Sequence, residues 1–435
     1  MLELWFDFSC PFAYLASQKA PGLARAAGVE LAWRPMPLGG VFRGIGAGEG
    51  PMATLGGAKA AHNLRDMRRW AEIFGVPFQV PQRHPMRTVR ALRVLLGLPH
   101  GCWGAAIAAL FAAYWQRAED VTQDAVLEAA LRDAGVPAHD LAAAIAGAGS
   151  DAIKAELRRR TDEAIALGIF GAPAWILRDR ASAPGAPLLI WGQDRLPWVE
   201  AALAGWDPDR EPPPGGARPF GHDVIAFRSP HALDVYFDVA SPYSYFALTQ
   251  LRALARVTGT TPRLHPILLG GLFRDLGQVD VPLLAMPPPK QRYVSAEMRR
   301  WAHWWGVPFD MPRRFPQRTI TAQRLCVLAA EQGFTQGTEL ATALARAMWA
   351  EQRDLEDPDT LRAILASTGL PPGWLERTAE PEVKAALVRE TTAAKHAGLF
   401  GVPSFVVGGA GGDHGVWGQD RLDLVVRYLA GWEVP

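Results

Sequence analysis

Short runs of hydrophobic residues open the two halves of this chain, at 2–8 and at 232–238. Each run has the length and composition of a strand, and each is followed by a turn with a proline and then by a helical pattern. A second strand-like run comes next, at 29–34 in the first half and at 261–267 in the second. Each half is therefore predicted to begin with a strand–helix–strand unit, with the proline at the first helical position.

A long helical region follows in each half, at about 58–168 and at about 289–398. These regions are rich in Ala, Leu, Arg and Glu, and segments such as Gly-Val-Pro interrupt them. After a Gly-x-Pro motif, each half closes with two more strand-like runs and a helix. The pattern predicts the order βαβ, helical insert, ββα in each half, which is an α/β fold.

The two halves are copies of one domain, because the motifs of the first half return in the second in the same order. Cys10 aligns with Ser241 and Trp70 with Trp301, each 231 positions later (241 − 10 and 301 − 70). The longer repeated motifs are Phe170-Gly171-Ala172-Pro173 with Phe400-Gly401-Val402-Pro403, and Trp191-Gly192-Gln193-Asp194-Arg195 with Trp417-Gly418-Gln419-Asp420-Arg421.

The segment between the copies is rich in proline and glycine and predicts a linker at 207–230. A chain of 435 residues suits two domains of about 200 residues each. We therefore expect one domain at 1–206, named copy one, and a second at 231–435, named copy two.

Composition narrows the classes of partner. Hydrophobic residues make up 49% of the chain, and the net charge of +1 gives no reason to expect nucleic acid or an anionic membrane as a partner. The three cysteines form no disulfide framework, the histidines show no metal-ligand spacing, and no apolar stretch has the length of a membrane span. The chain opens without the features of a signal peptide, so we expect a cytoplasmic protein with no metal site.

The turn before the first helix carries the strongest chemical signal, with Cys10 in copy one and Ser241 in copy two. A residue there lies at a helix N-terminus, where free N–H groups and the helix dipole favour negative charge. We expect a thiol at this position to have a lowered pKa, and a hydroxyl to donate a hydrogen bond to a bound thiolate. An N-cap serine or a core cysteine without a chemical role would give the same pattern.

The other candidate ligand-binding residues share one property, which is that both copies retain them. The lysines are single cations in otherwise different loops, which favours a role in binding a carboxylate. The aspartates precede the last helix, where Asp is also a common N-cap, and the prolines begin a strand, where proline often has no chemical role. These residues are Lys59 and Lys290, Gln193-Asp194 and Gln419-Asp420, and Ala172-Pro173 and Val402-Pro403.

Together the motifs resemble those of 2-hydroxychromene-2-carboxylate isomerases, which belong with the kappa-class glutathione transferases in the DsbA-like thioredoxin superfamily. The resemblance spans nearly the whole of each copy. It implies two tandem thioredoxin-like domains, each with an inserted all-helical subdomain, that assemble as an intramolecular pseudo-dimer. The motifs that carry it are Phe-Asp-x-x-Ser-Pro-Tyr-Ser-Tyr, Leu-Gly-Gly-x-Phe, Arg-Trp-Ala-x-x-x-Gly-x-Pro-Phe, Gly-Val-Pro-Ser-Phe and Trp-Gly-Gln-Asp-Arg-Leu.

The resemblance also implies a glutathione-dependent isomerase that acts on a small aromatic carboxylate. Ser241 would hydrogen-bond the glutathione sulfur, and Lys290 would hold the substrate carboxylate, as Lys59 would in copy one. Trp301 or Trp304 would line the aromatic pocket. The implied glutathione contacts are the cis-prolines Pro173 and Pro403 with the preceding Ala172 and Val402, and the pairs Gln193-Asp194 and Gln419-Asp420.

Copy one departs from the family pattern at Cys10, where the isomerases have serine. Ala13 replaces the second cysteine of a Cys-x-x-Cys motif, which excludes a dithiol cycle within one site, whereas Cys10 can still form a mixed disulfide with glutathione. Two alternatives to the isomerase stay open. The first is a glutathione transferase or thiol–disulfide oxidoreductase that uses Cys10, and the second is a non-catalytic scaffold.

Overall fold

A four-stranded sheet forms the centre of each copy in the computed structural model, which describes residues 1–48, 50, 55–178, 187–221, 223–279, 281–409 and 412–434. The first two strands of each sheet are parallel, and the third strand is antiparallel to both of its neighbours. The strands are β1 (Leu2–Phe6), β2 (Leu31–Pro35), β3 (Ala174–Leu177) and β4 (Leu188–Trp191) in the order β2-β1-β3-β4, and β5 (Leu233–Phe237), β6 (Arg263–Pro266), β7 (Ser404–Gly409) and β8 (Gly412–Trp417) in the order β6-β5-β7-β8.

The helices confirm the predicted order βαβ, helical insert, ββα, and with it the fold class. Within the described residues, no helix is long and apolar enough to cross a membrane. The helices of copy one are α1 (Pro11–Ala26), α2 (Leu38–Gly44), α3 (Gly57–Phe74), α4 (Val89–Gly97), α5 (Trp103–Trp115), α6 (Asp124–Asp133), α7 (Ala138–Gly147), α8 (Asp151–Ala166) and α9 (Leu196–Leu203). Those of copy two are α10 (Pro242–Thr258), α11 (Leu269–Asp275), α12 (Pro288–Trp305), α13 (Ile320–Glu331), α14 (Phe334–Trp349), α15 (Pro358–Ser367), α16 (Trp374–Arg377), α17 (Pro381–His396) and α18 (Leu422–Leu429).

A buried tryptophan ties each helical insert to the sheet of its own copy. The indole N–H of Trp115, at the end of α5, donates to the backbone oxygen of Phe8 at 2.8 Å. In copy two the indole N–H of Trp349, at the end of α14, donates to the backbone oxygen of Val239 at 2.8 Å. Both rings are fully buried. Each bond satisfies a backbone group next to the turn that precedes the first helix, so the insert supports that turn.

The linker is held against copy two by hydrogen bonds. Asp209 forms a bidentate ion pair with Arg300 on α12, with distances of 2.7 and 3.0 Å from Nε and Nη2. Farther along, the backbone N–H of Arg218 donates to the backbone oxygen of Trp304 at 2.6 Å. The linker therefore contributes a charged group to the surface of α12.

The copies contact each other because each places a long helix against the other copy, α3 from copy one and α12 from copy two. Arg69 on α3 of copy one donates to the hydroxyl of Tyr428 and to the backbone oxygen of Gly415, both in copy two, at 2.7 and 2.8 Å. Arg300 on α12 of copy two donates in turn to the backbone oxygen of Leu189 in copy one at 2.8 Å. Each copy thus places one long helix on the last strand of the other.

A buried ion cluster lies at the centre of this contact. Arg195 of copy one donates to Asp420 of copy two at 2.7 Å, and Arg421 of copy two pairs with Asp194 of copy one. Each arginine also bonds the aspartate of its own motif, at 2.8 Å and 3.0 Å. The helices α3 and α12 each add one acid to the cluster. Glu297 on α12 lies 3.1 Å from Arg195, and Asp66 on α3 lies 3.2 Å from Arg421.

The charges of the cluster depend on one another. Burial opposes the charge of Arg195, but the carboxylates of Asp194, Glu297 and Asp420 raise its pKa well above the ordinary value. Burial also raises the pKa of Glu297, which favours its neutral form. Removing a partner from such a buried pair leaves an uncompensated charge in a poorly solvated place.

We predict that Arg195→Met lowers the free energy of unfolding by about 3–5 kcal/mol, because it removes a counter-ion from buried carboxylates. Arg346→Met is the control, since its ion pair with Glu351 at 2.9 Å is exposed; its loss is expected to cost under about 1 kcal/mol. Equilibrium unfolding in urea measures both. Equal, small losses in the two variants would show that the cluster does not stabilise the chain.

Candidate functional site

The turn before α10 holds Ser241 against the loop that precedes β7. Ser241 is the N-cap of the helix, and its Oγ accepts a hydrogen bond from the N–H of Ser244 at 3.2 Å. The same hydroxyl donates to the backbone oxygen of Val402 at 3.5 Å, which is long for such a bond. Because this donor bond is weak, the hydroxyl is able to turn to a stronger acceptor.

A buried carboxylate supports this turn from below. Asp238 accepts hydrogen bonds from the N–H groups of Ala240 and Leu269 at 2.9 and 2.8 Å and from the hydroxyl of Thr319 at 3.3 Å. Burial raises its pKa to about 6. Since Leu269 begins α11, the carboxylate connects the turn to the start of a second helix. Asp7 does the same in copy one, where it accepts from the N–H of Leu38 at 2.8 Å.

Cys10 occupies the matching position in copy one and is buried, as Ser241 is. Its Sγ donates to the backbone oxygen of Ala172 at 3.2 Å, and the residue is 7% exposed. Burial raises the pKa of Cys10 to about 12, with a further contribution from Asp7, although the N–H groups of Phe12 and Ala13 act in the opposite direction. The expectation of a lowered pKa was therefore wrong, because the loss of solvation outweighs the helix N-terminus.

The Gly-x-Pro loops face these turns, and a tryptophan packs closely on each of them. A Cβ on Gly401 would lie 2.7 Å from Nε1 of Trp417, and a Cβ on Gly171 would lie 2.9 Å from Nε1 of Trp191. Only glycine leaves room for the indole at these positions. Both predicted cis peptide bonds are confirmed, at Ala172–Pro173 and at Val402–Pro403.

Each candidate lysine contacts a tryptophan of the other copy. Nζ of Lys59, on α3 of copy one, lies 5.5 Å from the ring centre of Trp417 in copy two. Nζ of Lys290, on α12, lies 5.7 Å from that of Trp191 in copy one. Burial lowers the pKa of each lysine, and the charge of Lys59 lowers that of Lys290 further. The placement of Lys290 at the site of Ser241 stays a prediction, although it is Lys59 that lies on the tryptophan of copy two.

The Gln-Asp pairs lie in the ion cluster between the copies. Asp194 and Asp420 bond Arg195 and Arg421, and neither carboxylate caps a helix, since the residues that begin α9 and α18 have no side-chain capping bond. The interpretation of these aspartates as simple N-caps was wrong. Gln193 and Gln419 are buried beside them. Their role as glutathione contacts stays a prediction.

The tryptophans expected to line an aromatic pocket belong to the packing between the copies. The ring of Trp301 lies 4.7 Å from that of Trp198, and the ring of Trp304 lies 5.2 Å from that of Trp206, measured between ring centres. Trp198 and Trp206 are fully buried residues of copy one. Burial of apolar area explains these rings without a ligand, and their place in an aromatic pocket stays a prediction.

Sequence reasoning missed the acids that α3 and α12 contribute. Asp66 and Glu297 are 231 positions apart, as are Cys10 and Ser241. A search for the same charge, and not the same residue, at the spacing of the duplication would have found them. Arg69 and Arg300 are a further pair at this spacing.

Comparison with known proteins gives matches that are each about as long as one copy. The DSBA-like thioredoxin domain family matches residues 1–204 and 232–430. Glutathione S-transferase kappa 1 of Homo sapiens is 26% identical over 209 residues, which cover 46% of this chain and 91% of that protein. The 2-hydroxychromene-2-carboxylate isomerase of Sphingobium xenophagum is 29% identical over 204 residues, which cover 45% and 97%. A solved structure of a 2-hydroxychromene-2-carboxylate isomerase superposes with a TM-score of 0.39 at 24% identity, over 47% of this chain and 94% of that one.

We predict that iodoacetamide modifies Cys10 of the folded protein near neutral pH roughly a thousandfold more slowly than free cysteine, because a pKa of about 12 leaves little thiolate. The measurement uses the Cys102→Ala variant, since Cys102 is partly exposed, whereas burial raises the pKa of Cys326 as well. Labelling in urea is the control and should be fast. Rapid modification of Cys10 in the folded protein, located by mass spectrometry, would contradict the prediction.

Proposed function

The chain belongs to the DSBA-like thioredoxin domain family, and we propose that it is a glutathione-dependent isomerase of the 2-hydroxychromene-2-carboxylate type. Its relatives include a 2-hydroxychromene-2-carboxylate isomerase and a kappa-class glutathione transferase, and both are enzymes. We assign the active site to copy two and the substrate class to small aromatic carboxylates.

One observation carries the assignment to copy two. The hydroxyl of Ser241 lies at the N-terminus of α10 and faces the loop with the cis-proline, and its only donor bond within the described residues is the long one to Val402. In copy one the equivalent thiol has a pKa of about 12. A hydroxyl that can turn toward a bound sulfur suits catalysis, and a buried neutral thiol does not.

The groups around Ser241 fit glutathione. Among the described residues, the backbone N–H of Val402 donates to no other backbone group, so it is left for a peptide-like ligand. The ammonium of Lys59 supplies a cation for a carboxylate from the other copy. When bound, glutathione would supply a thiol that adds reversibly to the conjugated double bond of the substrate and is returned at the end.

The residues of the chain have separate tasks in this proposal. The Ser241 hydroxyl exchanges its bond to Val402 for one to the ligand sulfur, and the N-terminus of α10 favours negative charge there. Asp238 holds the turn in position through its bonds to Ala240 and Leu269. Lys59 orients a carboxylate beside Trp417.

We further propose that the two domains, 1–206 and 231–435, form an intramolecular pseudo-dimer joined by the linker at 207–230. The ion pairs of Arg195 with Asp420 and of Arg421 with Asp194, which join the two domains, support this proposal. In this arrangement each site depends on the other copy, because the lysine beside each tryptophan comes from the partner domain.

The test is the isomerisation of 2-hydroxychromene-2-carboxylate, followed by absorbance with and without glutathione. We predict that Ser241→Ala lowers kcat/KM about 10- to 100-fold, the effect of one hydrogen bond to a charged group. Lys59→Met is expected to lower it about tenfold, and its matched control, Lys290→Met, less than about twofold, because Lys290 lies at the site of copy one. Cys10→Ala should leave turnover unchanged.

Other outcomes lead to different conclusions. If glutathione is captured covalently on Cys10 and Cys10→Ala loses activity, the protein is a transferase or a thiol–disulfide oxidoreductase that uses copy one. If Lys290→Met and not Lys59→Met loses activity, the lysine that serves the active site does not come from the other copy. If no variant or wild-type protein turns over the substrate, the proposed isomerase is wrong.

A further inference from the structure

A cavity lies between the copies, and the turn of Ser241 does not line it. It has a volume of about 350 Å³ and lies between α3 of copy one and β7, β8 and α18 of copy two. Arg65, Arg68 and Arg69 line it on the side of α3, and apolar residues such as Phe400 and Val416 line the opposite side. Its size suits a small organic molecule.

Arg69 is the informative residue of this cavity, because its charge is buried and incompletely paired. It is 2% exposed. Its Nε and Nη2 donate to the hydroxyl of Tyr428 and to the backbone oxygen of Gly415, and its Nη1, which is itself buried, has no hydrogen-bond partner among the described residues. Neither partner is a carboxylate. A buried guanidinium in such surroundings favours the arrival of an anion.

The equivalent arginine of the other half has its anion. Arg300 stands 231 positions after Arg69 and forms its bidentate ion pair with Asp209 of the linker. Beside it, the buried Tyr293 accepts a hydrogen bond from the backbone N–H of Trp191 at 2.9 Å. His62 stands at the position of Tyr293 in copy one and lines the cavity. Among the described residues, the member of this pair without a carboxylate partner is thus the one that lines the cavity.

We propose that this cavity binds a small organic anion, with a carboxylate on Arg69 and an apolar body against Phe400 and Val416. Arg69 lines the cavity, and its guanidinium charge, which has no carboxylate among its described hydrogen-bond acceptors, favours a carboxylate there. Arg65 and Arg68 add positive charge, against one acidic lining residue, Asp413. This site adjoins the proposed glutathione site, because Trp417 lines the cavity and also contacts Lys59, but neither Ser241 nor Pro403 lines it.

The test is the titration of the whole protein with benzoate, by isothermal calorimetry, with benzamide as the uncharged probe of the same shape. We expect saturable binding of benzoate and none of benzamide. Arg69→Met should weaken benzoate about tenfold or more, through the loss of a charge-assisted bond. The control is Arg299→Gln, an exposed position on α12 that corresponds to Arg68, and it should change nothing.

A second variant keeps the inference testable if Arg69→Met does not fold. His62→Tyr introduces the residue that the other half already holds, so it should fold and fill the cavity, and benzoate binding should be lost. Saturating glutathione should leave benzoate affinity unchanged, which separates this site from that of Ser241. Full benzoate affinity in Arg69→Met or His62→Tyr, equal binding of benzamide, or displacement by glutathione would each overturn the inference.

Discussion

The ion pairs that Arg195 and Arg421 form between the two copies are the interaction on which the rest of the structure depends. Each arginine pairs with the aspartate of its own motif and with the aspartate of the other copy, so each buried carboxylate gains its second counter-ion only when the other copy is in place. The same short motif begins with the tryptophan that packs on the Gly-x-Pro loop. The ion pairs that join the copies and the packing opposite the turns of Cys10 and Ser241 therefore depend on the same motif.

The duplication lets one scaffold hold two different groups. Both copies have a buried aspartate under the first turn and a cis-proline opposite it. Between these fixed parts, Ser241 has only a long donor bond, whereas Cys10 is held in a neutral form by burial. Changing one residue on a fixed frame separates the sites chemically, which a dimer of identical chains cannot do.

Much of the fold was predictable from sequence, because strand and helix periodicity and the repeated motifs are local signals. The position of Ser241 and Cys10 at helix N-termini followed from them as well, whereas the cis-prolines followed from the family resemblance. The short helices α2 and α11 did not, since two adjacent glycines argue against a helix and only a buried carboxylate favours its start. The pKa of Cys10 and the place of Lys59 depend on burial and on contact between the copies, which no local pattern contains.

The linker makes the two halves of the interface unequal. Asp209 lies in the linker and neutralises Arg300 on α12, so the ion pair exists because the copies are joined in this order. Within the described residues, the equivalent Arg69 on α3 bonds a hydroxyl and a backbone oxygen and no carboxylate. Two nearly symmetric helices thus carry one compensated and one uncompensated guanidinium. An uncompensated guanidinium that is 2% exposed is tolerated where its surroundings leave room for an anion, and that room lies on the side where His62 replaces the larger Tyr293.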